Sequence, residues 1–177
     1  MNMIEDSMSS VESGSLLISQ LERLRIRAHR AGRAQYMAAH RSSAMHYWLG
    51  IPAIVLSTAV GTAVFGTFAG SPNSILTVLT GIVSVGSAVL AALQTFFGYS
   101  ERSEKHRIMG AKYLALKRKM DLLLIEFAAP QSVEKENLHV LSQFVAEFND
   151  LEESAPNVSD KLYDRARRDQ ESDIEGI

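Results

Sequence analysis

Two apolar runs decide the fold of this chain: WLGIPAIVLSTAVGTAVFGTF at residues 48–68 and ILTVLTGIVSVGSAVLAALQTFFGY at residues 75–99. They lie in a stretch of 59 residues, from Ser42 to Ser100, that contains no Asp, Glu, Lys or Arg. A helix rises ~1.5 Å per residue and the hydrocarbon core of a bilayer is ~30 Å thick, so each run is long enough to cross a membrane. The sequence therefore predicts an all-α membrane protein built on a two-transmembrane helical hairpin. The external loop is expected at residues 69–74, with Pro72-Asn73 as its turn.

The charged residues are segregated along the chain. No carboxylate occurs between Arg23 and Ser100, and residues 101–120 hold seven basic and two acidic residues. Residues 121–177 hold fourteen acidic and five basic ones. Basic residues close to a span stay on the cytoplasmic side of the membrane. Because both flanks are basic and the loop is uncharged, we expect the N and C termini in the cytoplasm.

Cytoplasmic helices are expected on both sides of the hairpin, within one domain that covers residues 15–168. In the helix before the first span, Leu21, Leu24 and Ala28 recur at helical spacing on an apolar face. The helix after the second span is expected to continue directly from it. Leu138, Leu141, Val145 and Phe148 are expected to share one face of a later helix. The expected segments are a flexible N-terminal tail at 1–14, cytoplasmic helices at 15–46, 101–128, 132–153 and 160–168, and an acidic tail at 169–177.

Small residues recur at four-residue spacing in both apolar runs. Helices in lipid associate through close packing of small residues and through buried hydrogen bonds. These positions are therefore candidates for helix packing, either inside the hairpin or between subunits, although such spacing also occurs in apolar helices that make no such contact. The candidates are Ala53, Ser57 and Gly61 in the first span and Ala88 and Ala92 in the second.

Polar side chains form a stripe along the second span. A row of hydroxyl groups that ends in an amide is typical of a wettable, uncharged pore wall. The alternative is that the hydroxyl groups bond back to their own helix or join two helices. Two spans cannot enclose a channel, so a pore would require a homo-oligomer. The candidate pore-lining residues are Thr77, Thr80, Ser84, Ser87 and Gln94.

The helix before the first span is rich in arginine. Such residues bind the anionic inner leaflet of the bilayer and fix the orientation of the spans in the membrane. The alternative is a phosphate-bearing ligand, although no Gly-rich phosphate loop accompanies the arginines. The candidates for contact with the inner leaflet or a phosphate are Arg23, Arg25, Arg27, Arg30, Arg33 and Arg41.

Motifs of catalysis are absent from the sequence. The chain has no HExxH, GxSxG or Walker motif, and it has no cysteine for a thiolate metal site or a disulfide. We therefore expect neither an enzyme nor a metal or cofactor site, and no nucleic acid as a partner.

Two segments outside the spans are distinctive: ERSEKHRIMGAKYLALKR at residues 101–118 and APNVSDKLYDRAR at residues 155–167. Together with the order of basic helix, span, span and later helices, they resemble the SLATT family, the SMODS- and SLOG-associated two-transmembrane effector domains of bacteria. The resemblance extends over roughly residues 16–168.

The resemblance implies a multi-pass protein of the bacterial inner membrane. It implies a pore-forming effector of antiviral defence that kills or arrests the infected cell by abortive infection. The implied trigger is a partner protein or a nucleotide second messenger, with a neighbouring nucleotidyltransferase or reverse transcriptase as its source. The alternative function is a membrane-anchored scaffold, in which the cytoplasmic helices recruit a soluble partner.

Overall fold

A computed structural model describes the backbone of residues 2–68, 74–127 and 136–175, and the side chains of residues 14–64, 75, 77–127 and 138–172. Within these ranges the chain forms five helices and no strand, so the predicted all-α fold is confirmed. The predicted turn at Pro72-Asn73, and all of the external loop except Ser74, lie outside the described residues. The helices are α1 (Asn2–Phe68), α2 (Ser74–Phe97), α3 (Tyr99–Phe127), α4 (Glu136–Ser154) and α5 (Asp160–Glu175).

Helix α1 is longer than the sequence predicted. The segment expected to be a flexible tail is helical from Asn2, and no break separates the amphipathic helix from the first span. Starting a helix is unfavourable, whereas extending one adds a hydrogen bond for each residue fixed. The Ser-rich N-terminal segment therefore continues a helix that the apolar residues further along already stabilise. Pro52 lies inside α1.

The second span and the helix that follows it are separate helices, contrary to the expectation of one continuous helix. Gly98 separates α2 from α3 and has a φ of 53°. Glycine adopts this left-handed conformation readily because it has no Cβ, and it commonly ends helices in this way. The Arg102 N–H donates to the Gly98 carbonyl oxygen at 3.1 Å, which begins the hydrogen bonding of α3.

Helix α5 extends to Glu175, so most of the acidic tail predicted at residues 169–177 is helical. Two contacts stabilise the extension. Arg167 Nε lies 2.9 Å from Glu171 Oε1 one turn later. Gln170 is buried and accepts a hydrogen bond from Arg30 Nε at 2.8 Å. One contact with α1 and one within α5 thus keep this acidic segment helical, although chain ends of such composition are commonly disordered.

The chain divides into two compact units, a division that the sequence did not predict. We call residues 39–104 the hairpin unit, and residues 1–38 and 105–177 the helical unit. The prediction of a single domain over residues 15–168 stays a prediction.

The core of the helical unit joins α1, α3 and α4. It confirms the apolar face predicted for α1. Two glycines bring these helices close together, since a Cβ on Gly110 would lie 2.9 Å from the Tyr36 ring and 3.2 Å from the Gly32 carbonyl oxygen. The core cluster consists of Leu21, Leu24, Ala28, Ala31, Tyr113, Leu116, Met120 and Phe148.

The face that α4 buries is only partly the one predicted. Phe148 is buried and Leu141 packs partly against the core, but Leu138 and Val145 are 62% and 40% exposed. The residues of α4 that face the core are Leu141, Phe144, Phe148 and Leu151. Their spacing of three and four residues places them on one side of a helix with 3.6 residues per turn. Positions 138 and 145 lie further round the helix and point away from the core.

Candidate functional site

Helices α1 and α2 are both long and apolar enough to cross a membrane. One candidate span lies within Gly14–Val64 and the other begins at Thr77. In the structure only 11% and 6% of their most apolar windows are buried. An apolar helix in the core of a soluble protein would be largely buried, so the low burial of these two helices fits membrane spans.

A serine pair joins the two spans inside the hairpin unit. The Ser57 and Ser87 hydroxyl groups are hydrogen-bonded to each other, and Ser87 Oγ also lies 3.4 Å from the Ala53 carbonyl oxygen. Ala53 and Ser87 are only 5% and 6% exposed. The structure therefore places two of the helix-packing candidates, Ala53 and Ser57, at the contact between α1 and α2.

A second polar contact lies further along the same two helices. Gln94 Nε2 is 3.4 Å from His46 Nδ1. A Cβ added to Gly50 would come within 2.9 Å of the Gln94 amide nitrogen. Gly50 thus leaves the space that the Gln94 side chain fills. The sequence analysis did not identify Gly50, because a lone glycine does not form a repeating pattern.

In the structure, some residues of the predicted polar stripe of α2 contact α1 and others are exposed. Ser87 and Gln94 form hydrogen bonds with side chains of α1. For these two residues the alternative prediction applies, in which the polar groups join two helices. Thr77 and Ser84 are exposed, and Thr80 is half-buried. Of the other helix-packing candidates, Ala88 and Ala92 are exposed on α2, and the Cβ position of Gly61 has no neighbour within 4 Å.

The exposed surface of α2 has a small face and a bulky face. Residues 77, 81, 84, 88 and 95 lie close together around a helix of 100° per residue, and the large apolar residues lie on another side. The small face consists of Thr77, Gly81, Ser84, Ala88 and Thr95, and the bulky face of Ile75, Val78, Ile82, Val85, Val89 and Phe96; all are exposed.

Three of the six candidate arginines pair with acidic residues of the helical unit. Arg25 lies 3.5 Å from Asp121 on α3, and Arg27 lies 3.8 Å from Glu152 on α4. Arg30 lies 3.8 Å from Glu171 on α5. These contacts join α1 to each of the other helices of the unit. Of the other candidates, Arg23 and Arg41 are exposed and Arg33 is half-buried.

A mixed-charge cleft of about 370 Å³ lies between α1, α4 and α5. The Arg27 guanidinium is 4.8 Å from the centre of the Phe148 ring. Burial and the nearby Glu152 raise the pKa of Tyr163, although Arg27 opposes the shift. The cleft lining is Arg27, Arg30, Phe148, Glu152, Tyr163, Asp164 and Arg167, in which acidic groups offset the arginines.

A buried polar relay connects α1, α3 and the α4–α5 connection. Gln35 Nε2 donates to the Pro156 carbonyl oxygen at 3.0 Å. Gln35 Oε1 lies 2.6 Å from His106 Nδ1, and the two side chains are 4% and 8% exposed. With the Gln35 amide in this orientation its oxygen must accept, so His106 donates from Nδ1. The sequence reasoning missed Gln35, because a single amide within a helix has no periodic signal.

An all-α chain with two candidate spans and a separate helical unit defines a class of membrane protein with two transmembrane helices. The family model described as SMODS and SLOG-associating 2TM effector domain family 4 matches residues 17–173. The chain belongs to this family, which confirms the predicted resemblance. No curated protein and no solved structure matches the chain.

Proposed function

We propose that this protein is the pore-forming membrane effector of a bacterial defence system and acts by abortive infection. It assembles as a homo-oligomer in the inner membrane, with both termini in the cytoplasm. The observation that carries the proposal is the two-faced surface of α2, in which the exposed small face lies apart from the exposed bulky face. Membership of a family of two-transmembrane effectors supports the same function.

The small face suits a contact with protein or water better than a contact with lipid. Bulky apolar side chains such as Ile82 and Val85 suit acyl chains, whereas small residues let a second helix approach closely. The hydroxyl groups of Thr77 and Ser84 are wettable and uncharged, as a weakly selective pore wall requires. Since one hairpin cannot enclose a path, several copies are needed around an axis, with the small face turned towards it.

The trigger acts from outside this chain. The family description names an association with SMODS and SLOG proteins. That association supports a nucleotide second messenger made by a neighbouring nucleotidyltransferase; a partner protein or a neighbouring reverse transcriptase is the alternative source of the trigger. Opening is then a shift between two packings of the hairpins, and the trigger favours the open one.

The test replaces one residue of the small face. Cells that carry the protein with its neighbouring genes are infected with phage while a dye reports the membrane potential. Ser84→Leu fills the small face and is expected to abolish depolarisation. Val85→Leu, one residue away on the bulky face, is the matched control and should depolarise as the wild type does.

Two results would contradict the proposal. If wild-type cells keep their membrane potential while defence remains active, the protein is not a pore. If Ser84→Leu depolarises as fully as the wild type, the small face does not contribute to the path or its assembly.

A scaffold is the second candidate function. It is favoured by large apolar side chains that the helical unit exposes, since Leu122 and Ile125 of α3 are 71% and 70% exposed. Exposed apolar patches frequently mark sites of protein interaction. Replacement of both spans with an unrelated hairpin separates the two functions. Defence that survives the replacement supports the scaffold, and defence that is lost supports the pore.

A further inference from the structure

The outer face of α3 has the spacing of a helix–helix seam. Its positions alternate by three and four residues, as a and d positions do in a coiled coil. They lie opposite the buried Tyr113, Leu116 and Met120, and the three large apolar members are 46%, 71% and 70% exposed in chain order. We call this surface the α3 seam; it consists of Ile108, Ala111, Ala115, Arg118, Leu122 and Ile125, all exposed.

Helix α4 has an outer face of similar kind. Leu138 and Val145 are 62% and 40% exposed, and the neighbouring Ala146 is exposed as well. Towards the end of the helix Glu153, also exposed, lies between Leu138 and Ala146 around the helix. We call Leu138, Val145, Ala146 and Glu153 the α4 patch.

The two surfaces are complementary in charge. Residues 105–120 of α3 include six basic residues and no acidic one. Helix α4 includes five acidic residues and no basic one. Within the unit, Lys119 already lies 2.7 Å from Glu147, which shows the two helices attracting each other. Two α3 seams brought together would instead oppose like charges, which is unfavourable.

The two surfaces also match in position along the helices. Lys119 contacts Glu147, and the Tyr113 ring lies 5.7 Å from the Phe148 ring. The charge of Glu152 also raises the pKa of Tyr113. Residues with higher numbers in α4 therefore lie beside residues with lower numbers in α3, so the two helices are antiparallel. Both helices rise equally per residue. The apolar end of the α3 seam is therefore level with the apolar end of the α4 patch, and the basic part is level with the acidic part.

We propose that the α3 seam of one copy docks on the α4 patch of a second copy placed beside it. Leu122 and Ile125 pack against Val145 and Leu138, and the basic side chains around Lys112 face Glu153. This contact uses two different surfaces of the same chain, so its repetition gives a ring when the rotation between neighbouring copies closes. The inference rests on the proposed homo-oligomer and names the surfaces that build it.

The test uses the absence of cysteine from the chain. Leu122→Cys and Val145→Cys are made in full-length chains that carry different tags, and the two are expressed together. Membranes are treated with a short bismaleimide. A crosslinked dimer that contains both tags is expected in the mixture, and neither variant alone should give it. The matched control pairs Leu122→Cys with Gln143→Cys, an exposed position on another side of α4, and should give no dimer.

A charge exchange gives a second measurement. Lys112→Glu is expected to lower the yield of the mixed dimer about fivefold or more, because it places like charges opposite each other. Adding Glu153→Lys to the partner chain should restore the yield. Equal yields in all three cases would overturn the proposed charge contact.

The mass of the detergent-solubilised complex separates this inference from the proposed function. An oligomer in which Leu122→Cys crosslinks only to itself, or in which the mixture gives no dimer, overturns the docking surfaces and leaves the pore proposal standing. A monomer overturns both.

Discussion

Gln35 is the residue on which three parts of the helical unit depend. Its amide contacts His106 on α3 and the Pro156 carbonyl after α4; the first contact is buried and the second is partly buried. A polar group buried without a partner costs about 1–3 kcal/mol. A single side chain therefore stabilises a joint between elements that are far apart in sequence.

We expect Gln35→Leu to lower the free energy of unfolding by about 2–4 kcal/mol, because it removes the hydrogen-bond partner of the buried His106 Nδ1 and that of the Pro156 carbonyl oxygen. Thermal unfolding of the full chain in detergent measures the effect. The matched control is Gln143→Leu, since Gln143 makes a similar contact to His139 at 3.1 Å on an exposed surface. The control should change stability by less than about 0.5 kcal/mol. Equal effects of the two substitutions would show that the relay is not buried in the folded protein.

The break between α2 and α3 is the decisive feature at the scale of elements. A continuous helix would have carried the second span straight into the next segment, as the sequence suggested. Gly98 interrupts it with a left-handed φ of 53°. The end of α2 and the start of α3 therefore depend on one residue that has no side chain.

Gly98→Ala is expected to destabilise the protein by about 1–2 kcal/mol, because an L-residue with a Cβ is strained in the left-handed region. The control is Gly86→Ala, whose Cβ meets no atom within 4 Å and whose helical backbone accepts alanine. It should be neutral or slightly stabilising. The comparison is made by thermal unfolding in one detergent, and equal stabilities of the two variants would contradict the left-handed break.

The whole molecule combines two units that are stabilised in different ways. The helical unit buries a core in which Tyr113 is 2% exposed. Burial is the main cause that raises the pKa of Tyr113 to about 12, and the nearby Tyr163 and Glu152 add to it. The hairpin unit exposes apolar surface along both spans and depends on lipid or detergent to cover it.

The stability of the helical unit is expected to fall as pH rises from about 10 to about 12, with the upper end set by the folded-state pKa of Tyr113. In that range the unfolded chain releases the Tyr113 proton and the folded chain retains it, so stability decreases with pH. Tyr113→Phe should reduce this slope, as followed by circular dichroism of the protein in detergent. A slope that Tyr113→Phe leaves unchanged would show that other groups cause the loss.

Much of the fold was predictable, because hydropathy and helical spacing are local properties. The lack of charge from Ser42 to Ser100 indicates two spans, and the spacing of Leu21, Leu24 and Ala28 identifies a buried face. The tertiary contacts were not predictable to the same degree. Ser87 and Gln94 belong to one polar stripe by spacing, yet both contact the first span in the structure.

The sequence by itself determined that this protein is all-α, that it has two helices able to cross a membrane, and that it belongs to a family of two-transmembrane effectors. These properties follow from composition and period, which each segment carries alone. Only the tertiary structure decided which polar residues of α2 turn inward, which side of α4 is buried, and how Gln35 meets His106. Spacing specifies the faces of a helix, but a face is selected only when a distant segment packs against it and removes it from water.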